Sequence, residues 1–379
     1  MTTDYQTRVE ELLEEAEELP YGPSRMALLE EAVHLADAHQ DALQGNAVRK
    51  KLVETAVFSG YPEKALVAFS WRLAQADREP ERFPEKDLLW EYKWIAARLP
   101  KFSQITRKQI EDALDDLTRR SLRCGYGLRA LHSLRWKIAV DMHEPALARE
   151  YYRKWEKTPR DGNTNCTACE QQERVRFHLF MDKKDKALKL AEPILRGWLR
   201  CAEIPHITYA HVLLPLLQRG HIEKAVECHH KGYRLIHHNL NYLAQVGDHL
   251  TFLTLTDNLA RAIKLFEKHL GWALESKDQH ERWRFYLAAQ FLMFRVAESG
   301  QTMLKLRLPK AAPGYQEDGR YDVSALAAWI EEMCRDLAKC FDARNGNDGF
   351  TRRLAANRRL KRWLTPYPLR QPRKTREVD

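Results

Sequence analysis

An alanine returns at nearly fixed intervals along this chain, at Ala27, Ala65, Ala148, Ala187, Ala225 and Ala262, with separations of 38, 83, 39, 38 and 37 residues. A period of about 30 to 50 residues is the length of a small supersecondary unit repeated in series, so it constrains the architecture before any single segment is read. The separation of 83 reads as two units, with the missing member near Ala113, in a segment (105–124) whose helical pattern is poorly registered. Five residues before each alanine stands Gly22, Gly60, His143, Asp182, Gly220 or Asp257. Most of these types tolerate a left-handed backbone or cap a following helix, which predicts a tight turn there. Four residues after the alanine come Glu31, Phe69, Tyr152, Ala191, His229 and Phe266, one helical turn further along the same face.

A first helix is legible upstream of most of these turns, over 46–59, 128–142, 169–181, 206–219 and 241–256, with apolar residues at helical spacing. Such a hairpin cannot bury both faces alone, so successive hairpins must stack. The units running from Gly60 through Pro62 and Ala65 to Phe69, and from Gly220 through Ile222 to Ala225, resemble the second half of a tetratricopeptide repeat. The repeats are degenerate. Val53, Trp136, Val175, Leu213 and Leu250 stand where a small residue is expected midway along the first helix. The resemblance implies an all-α fold, a right-handed superhelix of about seven helical hairpins, and no specific ligand.

The regularity fails after Gly300, and the segment 302–308 alternates apolar and polar residues as a short extended piece would. Residues 1–300 read as the helical-repeat domain, 301–320 as an irregular connection, 321–364 as a pair of capping helices and 365–379 as a basic tail. The arrangement of 304–308, the helix after it and the turn from Arg344 to Asn347 resembles that of bacterial tetratricopeptide proteins.

Composition narrows the class. With 44% hydrophobic and 30% charged residues and only 16 Gly and 16 Pro, the chain is neither disordered nor fibrous. No apolar run approaches the roughly 18 to 20 residues of a membrane span, and the first twenty residues carry Glu10, Glu11, Glu14, Glu15, Glu17 and Glu18, the wrong charge for a signal. A cytoplasmic protein is expected. The net charge of +9 is uneven: residues 352–376 hold ten Lys or Arg and no Asp or Glu. That polarity suits an anionic partner, or attraction between the two ends of neighbouring copies.

Motifs for catalysis are missing: there is no P-loop, no GxSxG elbow, no dinucleotide fingerprint and no HExxH. Binding rather than turnover is therefore expected, with a protein or peptide on the concave face. The first helices would present Asn46, Arg49, Arg174, His178, Tyr209 and Asn241 to it. A second reading is nucleic-acid binding through the phosphate-seeking cations Arg352, Arg353, Arg358, Arg359, Lys361 and Arg362, with only Trp363 and Tyr367 nearby for stacking. Carboxylates such as Asp112, Asp115, Asp116, Glu331 and Glu332 read as solvated helix faces, and the histidines between His206 and His249 mainly as packing residues.

The strongest local signal is Cys166 and Cys169, two thiols three residues apart where a helix begins. In a hairpin turning near Asp182, position 166 lies opposite about position 199, which brings Cys201 to the same end, with His206 opening the next hairpin. Cys166, Cys169, Cys201 and His206 then make a four-ligand set for structural zinc. Free thiols and a redox pair remain alternatives, although no strand pattern precedes Cys166 as a thioredoxin-type motif requires.

Overall fold

The computed structural model describes residues 4–369. Helices dominate, and neighbours in sequence pack together. Helix α1 (Asp4–Glu18) packs on α2 (Pro23–Ala38), α3 (Ala42–Ser59) on α4 (Pro62–Arg78), α5 (Leu89–Arg98) on α6 (Arg107–Arg123), and α7 (Arg129–Asp141) on α8 (Pro145–Lys157). Helix α9 (Thr167–Phe180) then packs on α10 (Lys184–Leu195), and α11 (His206–His211) with α12 (Leu213–Gln218) packs on α13 (Ile222–Ile236). The split between α11 and α12 falls next to Pro215, which has no N–H to donate to the turn before it. Helix α14 (Leu243–Leu255) follows with α15 (Leu259–Glu275), then α16 (Gln279–Glu298) with α17 (Val323–Asn345), and α18 (Gly349–Ala356) ends the series.

The physical basis of the repeat is visible at the turns. His143, Asp182 and Asp257 hold φ of 59°, 55° and 59°, while Gly60 and Gly220 hold 86° and 76°. The left-handed residue ends one helix and lets the next start at once, with prolines Pro62 and Pro145 occupying the first helical position after two of these turns. Five residues on, Ala65, Ala148, Ala187, Ala225 and Ala262 are all fully buried, so a larger side chain there would push the paired helices apart. The first unit departs from the pattern. Gly22 is extended, Ala27 is exposed, and α2 buries Met26 and Leu29 instead. In the unit lacking an alanine, α6 opens with a capping box between Thr106 and Gln109 and buries Ile110, Leu114 and Leu117 rather than Ala113.

One large apolar core collects residues from Val9 to Met142 and another from Val175 to Leu369. Between them Trp136, Tyr152, Trp155 and Phe177 form a separate aromatic cluster, with Tyr152 and Phe177 stacked at 3.6 Å. Past Gly300 the chain forms a short antiparallel pair, β1 (Met303–Lys305) and β2 (Arg320–Asp322), with Leu304 opposite Tyr321. Leu304, Leu306 and Leu308 are buried on one side, as the alternation anticipates; the partner strand β2 carries no such signal. Helices α16 and α17 pack across this connection, so the boundary placed at residue 300 falls inside a helix pair. The basic end is docked as far as it is described: Thr365 and Tyr367 donate backbone N–H bonds to the carbonyls of Leu255 and Thr256 at 2.9 and 3.0 Å. Residues 370–379, with Arg376, lie outside the described residues. No helix among those described is long and apolar enough to cross a membrane.

Contacts at long sequence separation then bring early and late units together. Asn239 donates to the carbonyl of Phe58 at 2.9 Å, Arg98 donates to the Asn241 side chain at 3.0 Å, and Tyr61 donates to Glu275 at 2.6 Å. Gly60 sits so close to this junction that a Cβ would stand 2.6 Å from the backbone nitrogen of Asn241. From the other side Arg344 donates to the carbonyls of Pro100, Phe102 and Ile105 at 2.7, 3.1 and 3.0 Å. Bonds from a charged donor contribute about 1.5 to 3 kcal/mol each, enough to fix the closure.

Candidate functional site

These contacts hold the helices around a chamber of about 1100 Å³, partly open to solvent and lined by residues from Val57 to Arg362. Its wall is unusually charged for an interior: nine Lys or Arg and seven Asp or Glu line it. Burying charge is unfavourable unless each charge is paired, and most of them are. Lys101 donates to Glu281 at 2.5 Å, Lys137 to Glu173 at 2.8 Å, Arg284 to Asp248 at 2.9 Å, and Arg176 to Asp141. Glu170 accepts two bonds from Arg129 at 2.9 Å each, and Asn241 donates to Glu203 at 3.1 Å.

Three cations break the pattern: Arg353, Lys93 and Arg362, the last lying over the Trp363 ring. Arg353 is surrounded by protein yet exposed to the chamber, and among the described residues it has no hydrogen-bonded or ion-pair partner. Its guanidinium lies 5.5 Å from the Trp283 ring centre. Enclosure, and then the charge of Arg284, lower its pKa to about 10 against the attraction of Asp248, so it stays cationic at neutral pH. Lys93 projects from α5, its ammonium 3.4 Å from the centre of the Trp90 ring and donating to the carbonyl of Asn163 at 2.5 Å. Burial, and then Lys137, pull Lys93 down to about 7, against the opposing effect of Glu173, Asp161 and Cys169. Trp90 itself is 40% exposed, unlike Trp283, Phe285, Tyr286 and Phe291, which fill the core.

On the same wall Cys166, Cys169 and Cys201 bring their sulfur atoms within 4.8 Å of one another. Cys166 caps α9, its sulfur accepting the N–H of Cys169 at 3.4 Å. Cys201 stands on the reversal between α10 and α11, 3.3 Å from the Cys169 sulfur. That contact pulls Cys201 down to about 6, against burial and with help from the backbone N–H groups of Glu203 and Ile204, and it pushes Cys169 up. Either sulfur can be the donor in this contact. His206 does not join the cluster: it opens α11, but its ring stacks on Tyr242 at 5.7 Å between centres. The loop reverses between Cys201 and Ile204, whose backbones exchange bonds, and this carries the histidine away from the thiols.

The six residues placed on the concave face are mostly held in helix packing. Arg49 is buried in a paired contact with Asp37, at 3.0 and 2.6 Å, and lies over Trp71. Asn46 accepts from Arg72 at 2.9 Å, Arg174 pairs with Glu156 at 3.1 Å, and His178 is buried edge-on to Tyr152. Tyr209 is buried against Gly232. Only Asn241 faces the chamber, and it also ties the closure.

Three of the six cations in the basic stretch are paired with carboxylates. Arg352 pairs with Asp348 at 3.0 Å, Arg358 with Glu331 at 2.7 Å and Lys361 with Glu298 at 2.6 Å. Arg359 is exposed, Arg362 lies over Trp363 beside the chamber, and Arg353 turns inward. Asp112 and Asp115 lie on exposed faces, paired with Lys108 and Arg135, whereas Asp116 is half-buried between Arg120 and the Tyr92 hydroxyl. Sequence reading missed Lys93, Glu170, Glu173 and Glu281 as interior groups. Only Lys93 carries a local signal, a charge among Trp90, Tyr92 and Trp94; Glu170, Glu173 and Glu281 stand among other polar residues. No protein-family model matches the chain, and a comparison with curated proteins finds no significant match.

Proposed function

We propose that this chain is a tetratricopeptide-like superhelix closed on itself, and that its chamber binds a small anionic ligand of the size of a short acidic peptide. The observation that carries this reading is Arg353, a cation without a carboxylate partner among the described residues, in a chamber whose carboxylates are nearly all engaged. An enclosed guanidinium with its hydrogen-bonding edge free favours an arriving carboxylate or phosphate. Trp90 and Trp94 add apolar surface to the chamber wall, and a chamber of about 1100 Å³ matches the size of ligand-binding cavities. The recurring buried alanines and left-handed turns support the repeat assignment. Binding without turnover fits the chain's lack of a catalytic motif and the commitment of its interior carboxylates to ion pairs.

A fluorescein-labelled tetrapeptide of Asp and Glu, followed by anisotropy with the full-length protein, tests this. It is expected to bind in preference to its Asn and Gln counterpart, and Arg353→Ala is expected to weaken it by about tenfold to a hundredfold, the loss of one charge-assisted contact. Equal affinity for the neutral peptide, or no effect of Arg353→Ala, contradicts the reading.

Lys93 adds a pH dependence. An anion binds the protonated amine, and the free chamber holds that amine near pH 7. Above pH 7 binding must take up a proton, so affinity falls as the pH rises, by up to about tenfold per unit. Lys93→Arg, cationic throughout, is expected to flatten the profile between pH 7 and 9; an unchanged slope in that variant removes Lys93 from the site.

A further inference from the structure

We propose that Cys166, Cys169 and Cys201 form a three-thiolate site for a thiophilic divalent cation, Zn²⁺ in the first place, whose fourth coordination position opens on the chamber. The site does not depend on the anionic-ligand reading.

Three observations support it. The sulfur atoms lie within 4.8 Å of one another and come from two separate segments, the start of α9 and the loop before α11. Tetrahedral zinc with Zn–S bonds of about 2.3 Å places sulfur atoms about 3.8 Å apart, so the present separations need adjustments on the order of 1 Å. The Cys169 N–H already points to the Cys166 sulfur, the kind of outer bond that orients a thiolate ligand.

The open position follows from what surrounds the thiols. Behind Cys169 and Cys201 lie Ala168, Ile194 and Ile204, with Leu199 and Ile207 against them, and none of these offers a ligand. Among the described residues no histidine or carboxylate completes the group. All three cysteines line the chamber, so a fourth ligand reaches the ion from there, as water or as a group on a bound molecule. Three protein ligands and one exchangeable position distinguish a ligand-accepting zinc site from a closed structural one. Loading releases the thiol protons to solvent and transfers no electrons.

The test uses full-length protein, kept reduced and stripped with a chelator, then titrated with Zn²⁺ against a chromophoric competitor and with Co²⁺ as a spectroscopic probe. The expected result is one equivalent of metal, a thiolate-to-cobalt charge-transfer band, and tetrahedral Co²⁺ bands that shift when imidazole is added. Cys166→Ser, at an exposed position that leaves the core intact, and Cys201→Ser are each expected to weaken Zn²⁺ binding by at least about tenfold, and His206→Ala to leave it unchanged. Absence of stoichiometric binding under reducing conditions, unchanged affinity in both cysteine variants, or a Cys169–Cys201 disulfide in place of the metal overturns the site. Bands that ignore imidazole overturn its open position.

Discussion

Between pH 6.5 and 4.5 the protein is expected to lose most of its stability, and its histidines are the cause. His211, His229, His269 and His280 are drawn down to about 3, and His249 well below the usual range, in every case chiefly by burial. The folded chain therefore keeps these rings neutral where the unfolded chain takes up protons, below about pH 6.5. Because the unfolded state binds more protons in that window, stability falls as the pH falls. Each group contributes about 1.4 kcal/mol per pH unit across its window, and a folded domain holds only about 5 to 15 kcal/mol in total. The rings are packed against one another and against aromatics, with His229 and His249 sharing a bond between their Nδ1 atoms at 3.0 Å and Tyr233 bonded to His269 at 2.9 Å. A proton on His229 or His249 would be placed beside a second imidazole with no carboxylate to offset it. Paired carboxylates such as Glu173, held low by Lys137 in spite of burial, release their contribution only further down, as they protonate. Urea unfolding followed by circular dichroism at half-unit steps isolates the histidines above pH 5. A stability that stays flat from pH 6.5 to 5 contradicts their assignment as neutral core groups.

Glu170→Ala is expected to destabilise the fold by about 3 to 5 kcal/mol, far more than the truncation of a surface glutamate. Glu170 and Arg129 are 2% and 5% exposed, and Glu170 also accepts from Arg160. Removing the carboxylate leaves a guanidinium buried against Trp155 with only the carbonyls of Trp155 and Thr158 as partners. The loss would also release the loop leading to Cys166, since Arg160 bridges Glu170 and the carbonyl of Asn165. Replacing both members, as Arg129→Met with Glu170→Leu, is expected to recover much of the loss, because the unpaired buried charge and not the missing attraction dominates. Thermal or urea unfolding of the two variants checks this. Equal destabilisation in the double variant would show that the pair itself supplies the stability.

The parts of the fold visible in sequence are those written in local spacing. Ala65, Ala148, Ala187, Ala225 and Ala262, each five residues after a left-handed turn, are constrained within one hairpin, so the pattern survives even in degenerate repeats. Ala27 satisfied the spacing and not the packing, because Gly22 makes no left-handed turn and α2 meets its neighbour through Met26 and Leu29. Closure was not legible. Gly60 against Asn241 and Arg344 against Pro100 join residues far apart in sequence, which no local spacing encodes. Arg49, Arg174 and Tyr209 are held by neighbouring helices, through Asp37, Glu156 and Gly232, and not by the closure. The thiol cluster was legible up to Cys201, since helix rise fixes which end of a hairpin a residue reaches. His206 was not, since the backbone reversal between Cys201 and Ile204 follows from no periodic rule.

The chamber as a binding site is tested most directly by a crystal structure of the full-length protein grown with the acidic tetrapeptide. The account predicts density inside the chamber, with a carboxylate on the Arg353 guanidinium and the contact between Gly60 and Asn241 intact. Peptide bound on the outer helix faces, or an opened chain with Gly60 and Asn241 apart, would contradict it.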